Sequence, residues 1–339
     1  MRSRGSYLAA SMLSVVAAAT APASLASDVV APVAVAPAAA AAAPEPMQEL
    51  VVEGRHEGPR MWIVRSGDHT LWILGTISPL PKKMVWQPDA VEEALRYTQE
   101  VVPAWPSYGI GANPITALRV YIAWRHLQKP PDNLPLRESL PPPLYARVEA
   151  LRIRYAPHDN KIEQMRPMLA ARELLTRVLD AAGLALRNEV QQEVLNLAAR
   201  HGVRVHQDKL RIDDPVDVLK DVGATPLAGE VACLDAVATL LETDLVNMKA
   251  RARAWALGDV EMLRQIPRAD NRAACIAAVS TSERVRSLIA RAQDDWLIAV
   301  TDSLARNRGT LAVQSMDRLL GEHGALATLR ARGYTVEGP

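Results

Sequence analysis

Two short apolar runs, Met61 to Arg65 and Thr70 to Leu74, flank the turn-forming cluster Ser66-Gly67-Asp68-His69, a pattern that predicts a β-hairpin. Gly75 is expected to end the second strand. Ser78-Pro79-Leu80-Pro81 then reads as a loop, because each proline removes a backbone donor and fixes φ. From Pro88-Asp89 a helical run carries Val91, Ala94, Leu95 and Thr98 on one side, and Glu100 to Val102 predicts a third strand. Apolar residues three or four apart predict helices over Pro141 to Leu151, Ile162 to Leu179 and Glu189 to Arg200. Val203 to Val205 is a short strand after a helix stop at Gly202. A long helix is expected from Glu230 to Met248, and another from Ser282 to Leu304 with Val285, Leu288, Ile289, Ala292, Trp296 and Val300 as its buried stripe. Thr310 to Val313, a turn at Gly321 to Gly324, a short helix to Arg332 and a strand at Tyr334 to Val336 close the chain. The expected class is α+β, a helix-rich domain around a small mixed sheet built from strands at the two ends of the domain.

The N-terminus changes the picture of where this domain works. Arg2 and Arg4 precede a run from Tyr7 to about Ala21 with no charged side chain, and small residues follow at Ser24 and Ala26. A basic n-region, an apolar h-region and small residues define a secretory signal, cut after Ala26 or alternatively after Ala23. A membrane anchor needs roughly 20 predominantly apolar residues, and Pro22, Ser24 and Ser27 interrupt this run. Residues 27–56 are dominated at first by Ala, Val and Pro, with no polar/apolar period from which to build a packed face, and read as a tether. The expected organisation is a signal peptide at 1–26, an Ala/Pro-rich tether at 27–56 and one domain at 57–339, with a periplasmic location.

Removing Arg2 and Arg4 turns a formal net charge of +1 into −1. A near-neutral chain gives no case for nucleic acid or an anionic membrane surface as partner, and no later apolar stretch is long enough to span a bilayer. Phenylalanine is absent, and seven Trp and seven Tyr supply the aromatic volume. The two cysteines, Cys233 and Cys275, fall on predicted neighbouring helices. In an oxidising compartment an even count favours pairing, against two separately buried thiols; a bridge closing a loop of about 40 residues adds roughly 4 kcal/mol in the chain-entropy model.

The stretch Leu71-Trp72-Ile73-Leu74-Gly75-Thr76-Ile77-Ser78-Pro79-Leu80-Pro81, followed by Trp86 and a helix, resembles the opening of the TraB/GumN family, related to the Tiki metalloproteases. The ending, Leu319-Leu320-Gly321-Glu322-His323-Gly324 and then Leu329 to Val336, is similar to that family's C-terminus. The resemblance covers nearly all of Met61 to Val336. It implies two Gly-x-x-His motifs whose imidazoles hold a metal, and a glutamate after the next strand. Here the first motif reads Gly75-Thr76-Ile77-Ser78 and the second Ser315-Met316-Asp317-Arg318, while the glutamate position falls at Pro103 or Ala104. A divalent ion wants imidazole, thiolate or carboxylate; a hydroxyl is a poor ligand and arginine keeps its proton. The expectation is a divergent member with no metal, no cofactor and no catalytic residue, in which Arg318 pairs with a carboxylate or caps carbonyls. Such a protein acts by binding a peptide, an envelope protein or a polysaccharide-related ligand.

Two rivals remain open on sequence: a hydrolase with a relocated site drawing on His201, His206 and His323, and a structural envelope component. His201-Gly202 is also a helix end where a cationic residue suits the dipole, and His323 sits in a turn. Ser78 as a nucleophile lacks the Gly-x-Ser-x-Gly elbow, and Pro79 prevents a helix from following it. Glu92-Glu93 and Asp294-Asp295 are adjacent rather than three or four apart, so neither pair shares a helix face.

Overall fold

A computed structural model describes residues 58–339 apart from 105–106, 111–112, 187–188, 208, 268–271 and 322. The segments expected from the sequence to be a signal peptide, 1–26, and a tether, 27–56, lie outside the described residues.

The hairpin forms as expected: β1 (Met61–Ser66) pairs antiparallel with β2 (His69–Thr76) around Gly67, whose φ of 59° suits a residue without a Cβ. Gly75 does not end β2, which runs one residue further. Its lack of a side chain has another use, because a Cβ there would lie 2.5 Å from the Trp62 ring. A short bridge, β3 (Leu80–Pro81), occupies the proline loop, and α1 (Asp89–Leu95) and β4 (Glu100–Val102) follow.

The middle of the chain is helical. After β5 (Ser107–Ile110) come α2 (Pro114–Leu127), α3 (Leu136–Ser139), α4 (Pro142–Tyr155) and α5 (Pro167–Ala181). The helix expected over Ile162 to Leu179 is interrupted: a single 3-10 turn at Ile162–Gln164 precedes α5, and Arg166 is extended at ψ 150°, as a residue before proline prefers. Next are β6 (Leu184–Ala185), α6 (Glu189–Arg200), β7 (Arg204–Val205), β8 (Lys209–Ile212) and α7 (Pro215–Gly223).

The long helix expected from Glu230 to Met248 is two, α8 (Leu227–Thr243) and α9 (Leu245–Ala256). They part at Asp244, whose buried carboxylate accepts hydrogen bonds from Asn247 at 3.0 Å and from Arg251 at 2.5 Å and 3.2 Å. The apolar period continues across this break, so periodicity alone does not reveal it. Beyond lie α10 (Val260–Gln265), α11 (Arg272–Val279), α12 (Glu283–Arg306), β9 (Gly309–Ser315), α13 (Met316–Leu319), α14 (Ala325–Ala331) and β10 (Thr335–Glu337). Ser282 caps α12 by accepting the Val285 N–H at 3.2 Å.

The main sheet has the order β10-β1-β2-β9-β4-β7. β1 is antiparallel to both its neighbours, whereas β2, β9, β4 and β7 run parallel. The fold is thus α+β with a mixed sheet, most of it drawn from the two ends of the domain. In the central strands Leu71, Ile73, Leu311, Ala312 and Val313 are fully buried, the run of apolar residues expected of parallel strands covered on both faces. A second core gathers α4, α5, α8 and α11 around Val148, Leu174, Leu234 and Val237. Cys233 on α8 and Cys275 on α11 form a disulfide across this cluster, with S–S 2.00 Å and Cα atoms 4.5 Å apart. Among the described residues no single helix is long and apolar enough to cross a membrane.

Candidate functional site

β2 and β9 are parallel neighbours in register, Gly75 opposite Gln314 and Thr76 opposite Ser315. β4 lies on the other side of β9, with Val102 opposite Ala312. The segments that leave these three strands, Ile77-Ser78, Met316 to Leu319 and Pro103-Ala104, therefore leave the same edge of the sheet. This is the carboxyl end of a parallel set, where α/β sheets present ligand sites. The positions singled out in the sequence, Gly75, Ser78, Ser315 and Arg318, share that edge with Pro103 and Ala104.

Their chemistry is poor in metal donors. Ser78 is exposed, and its Oγ donates to the Leu186 carbonyl at 3.3 Å. Ala104 is buried, and its backbone N–H donates to Gln191 Oε1 on α6 at 2.8 Å. Ser315 N–H donates to Gln314 Oε1 at 2.9 Å, while the Ser315 Oγ is buried without a hydrogen bond among the described residues. Arg318 is partly buried on α13. A hydroxyl already donating, a permanent guanidinium and an alanine do not make the imidazole and carboxylate set that a divalent ion needs. The residues present do not fit a metal at this edge.

The space around the strand ends is filled with indole instead. Trp255 Nε1 donates to the Gly75 carbonyl at 2.7 Å, and Trp296 Nε1 to the Val313 carbonyl at 3.1 Å. Both tryptophans are buried, and the Trp86 ring lies 5.8 Å from that of Trp255. Each indole covers apolar surface while its N–H satisfies a carbonyl at or near a strand end. Beside this edge a groove of about 410 Å³ runs along Leu80, Met84, Val85 and Trp86, with Glu189 and Glu193 of α6 on its other wall.

The histidines of the rival reading do not assemble around an ion. His201 is exposed at the end of α6, where Gly202 takes φ 67° and the Val203 N–H reaches back to the Ala198 carbonyl at 2.8 Å, a glycine-terminated helix end. His323 is exposed in its turn. His206 is half-buried, with Nδ1 3.0 Å from Glu100 Oε1. Among the described residues no group of three or more His, Cys, Asp or Glu side chains is placed to hold a metal ion.

Glu100 is the residue that sequence reasoning passed over, reading it only as the start of a strand. It is 8% exposed and takes Ser303 Oγ at 2.9 Å, Asn307 Nδ2 at 2.9 Å and Arg306 at 3.4 Å on one oxygen, with His206 on the other. Burial alone would raise its pKa, but the hydrogen bonds from Asn307, His206 and Ser303 outweigh that and bring it down to about 2. The arrangement resembles a triad in composition but not in geometry. Ser303 is fully buried and donates to the carboxylate rather than to the imidazole, so the histidine is not placed to take its proton. The carboxylate ties α12 and the edge strand β7 to β4, at the sheet edge opposite Ala104. A glutamate opening an otherwise apolar Glu-Val-Val strand was the available signal.

A helix-rich α+β domain, with a mixed sheet whose parallel strands end in a common edge, is the class that the structure defines. The model of the TraB/PrgY/gumN family matches residues 60–338, and the chain belongs to that family. No curated protein and no solved structure matches it.

Proposed function

We propose that this is an exported TraB/PrgY/gumN protein that has kept the family's domain as a binding scaffold and has given up metal-dependent peptidase chemistry. The observation that carries the reading is the donor set at the shared strand edge: Ser78, Arg318 and Pro103-Ala104 stand where the resemblance implies two imidazoles and a carboxylate. The hydrogen bond from Ser78 to Leu186 and the indoles that fill the edge support it. The groove along Leu80, Trp86 and α6 supplies apolar wall and two carboxylates, surfaces that suit an extended peptide carrying a basic side chain. Export is favoured by the basic and apolar opening of the chain, and a paired Cys233 and Cys275 suits an oxidising compartment.

The test is elemental analysis of the mature protein after purification without chelator, together with peptide turnover with and without chelator. The expected result is substoichiometric zinc and manganese and no chelator-sensitive turnover. Stoichiometric metal that is lost on Ser78→Ala or Arg318→Ala would overturn the proposal.

A further inference from the structure

A second cleft, distant in sequence from the strand ends and independent of the reading above, lies between α2 and α7. Its volume is about 650 Å³, within the range that small-ligand pockets occupy. Ile122 and Leu127 of α2 and Val216 and Leu219 of α7 line it together; the α2 lining residues Arg119, Ile122, Ala123, His126 and Leu127 recur at the three- and four-residue spacings of one helix face, as do Val216, Leu219 and Lys220 on α7. The apolar ones make its walls largely hydrocarbon. The apolar track continues outward along α2, where Leu118 and Tyr121 are each 58% exposed.

The charged groups lining the cleft are all cationic: Arg119, Lys129, Arg166 and Lys220, with His126 beside them and no Asp or Glu among the described lining residues. Two of the cations are already answered. Arg166, at the floor, is buried against Glu230 and donates to the Gly223 carbonyl at 3.0 Å, and Lys220 pairs with Asp217 at 2.8 Å. Arg119 and Lys129 make no ion pair among the described residues; both are exposed beside the apolar walls. Asp217 is the carboxylate that senses Arg119 electrostatically, and Lys220 is its closer partner. An apolar slot with surplus positive charge at its mouth matches a ligand of the opposite construction.

We infer that the cleft between α2 and α7 binds an anionic amphiphile, an alkyl chain lying against Ile122, Leu127, Val216 and Leu219 with its carboxylate or phosphate held by Arg119 and Lys129. The class is set by the pairing of the two surfaces: the walls select hydrocarbon, and the mouth selects negative charge.

Calorimetric titration of the mature chain with octanoate, octyl phosphate and octanol tests this. Saturable binding of octanoate or octyl phosphate is expected, with octanol at least tenfold weaker. The double variant Arg119→Glu/Lys129→Glu, confined to exposed side chains, is expected to lose at least tenfold in affinity for the anions at an unchanged melting temperature. Preference between the two anions separates a free fatty acid from a lipid phosphate as the source, and either preference supports the site. No saturable binding of either anion, equal binding of octanol, or anion binding that the double variant leaves unchanged would overturn the inference.

Discussion

Among the described residues, the buried carboxylate of Glu100 is a group whose charge state bears directly on stability. Its pKa falls from an ordinary 4.5 to about 2, and with its side chain only 10% exposed solvent screens the interaction little. A depression of this size contributes roughly 3 kcal/mol at neutral pH. The sign follows from linkage. A carboxylate with a lowered folded-state pKa holds its proton less tightly in the native state than in the unfolded chain. Its stabilisation is therefore complete above 4.5 and is lost as pH falls from there through about 2. Glu100→Gln keeps the shape but removes the charge. It also turns one acceptor into a donor that faces the hydroxyl of Ser303 and the amide of Asn307, or else the ring of His206. The variant should unfold at a urea midpoint lower by roughly 1 M at pH 7, taking a slope of about 3 kcal/mol per molar for a chain of this size. The gap between parent and variant should close progressively below pH 4.5, since protonation brings the parent to the same uncharged state. Other carboxylates with lowered values, such as Glu149, titrate equally in both proteins and cancel in the difference. The reasoning fails if Glu100→Gln is as stable as the parent at pH 7, or if the gap at pH 2.5 is as wide as at pH 7.

Two further outcomes are expected. Replacing both Cys233 and Cys275 by serine opens a loop of 42 residues and should cost roughly 4 kcal/mol. The loss should match that caused by reductant in the parent and should not add to it, as read by thermal or urea unfolding. Arg166 and Glu230, both buried, should behave as a buried pair: either Arg166→Met or Glu230→Leu alone should destabilise by roughly 3–5 kcal/mol, while the double substitution recovers most of the loss. A double variant no more stable than the singles in a mutant cycle would refute that account.

How much of this was legible in the sequence depends on the range of the interaction that sets each element. The hairpin, β4, α6 and α12 are local: Gly67-Asp68 makes the turn, and Ser282 caps its own helix through Val285. The break at Asp244 was not legible because the apolar period runs through it, and the partners of its carboxylate, Asn247 and Arg251 two turns on, lie on the next helix and form no distinctive motif. α2 was missed for the opposite reason. Asn113 accepts the Thr116 N–H at 2.8 Å and Pro114 follows at the first turn, an ordinary start signal. Its apolar residues Ile115, Leu118, Val120, Tyr121, Ile122, Ala123 and Trp124, however, fall on every side of the helix, so the sequence shows no apolar stripe there. The strand-end positions could be located because the Gly-x-x-x frame around Gly75 and the closing segment are contiguous in the chain. Glu100 itself stands out as a charge in an apolar strand, but its partners could not be read, since Ser303 and Asn307 reach it from about 200 residues away and no local pattern links them.

The match to the family over residues 60–338 rests on a scaffold whose stability is separate from the side chains at its strand ends. Leu71, Ile73, Leu311 and Val313 hold the central strands through burial, a term proportional to apolar area and indifferent to what stands beyond the last carbonyl. The carbonyls of Gly75 and Val313 receive their hydrogen bonds from Trp255 and Trp296, so strand termination there does not depend on a bound ion. A charge-assisted network lies at the opposite sheet edge, on Glu100, where it fastens α12 and β7. Substitution at Ser78 or Arg318 therefore removes no part of the central hydrophobic core, and the fold does not depend on which side chains stand at that edge.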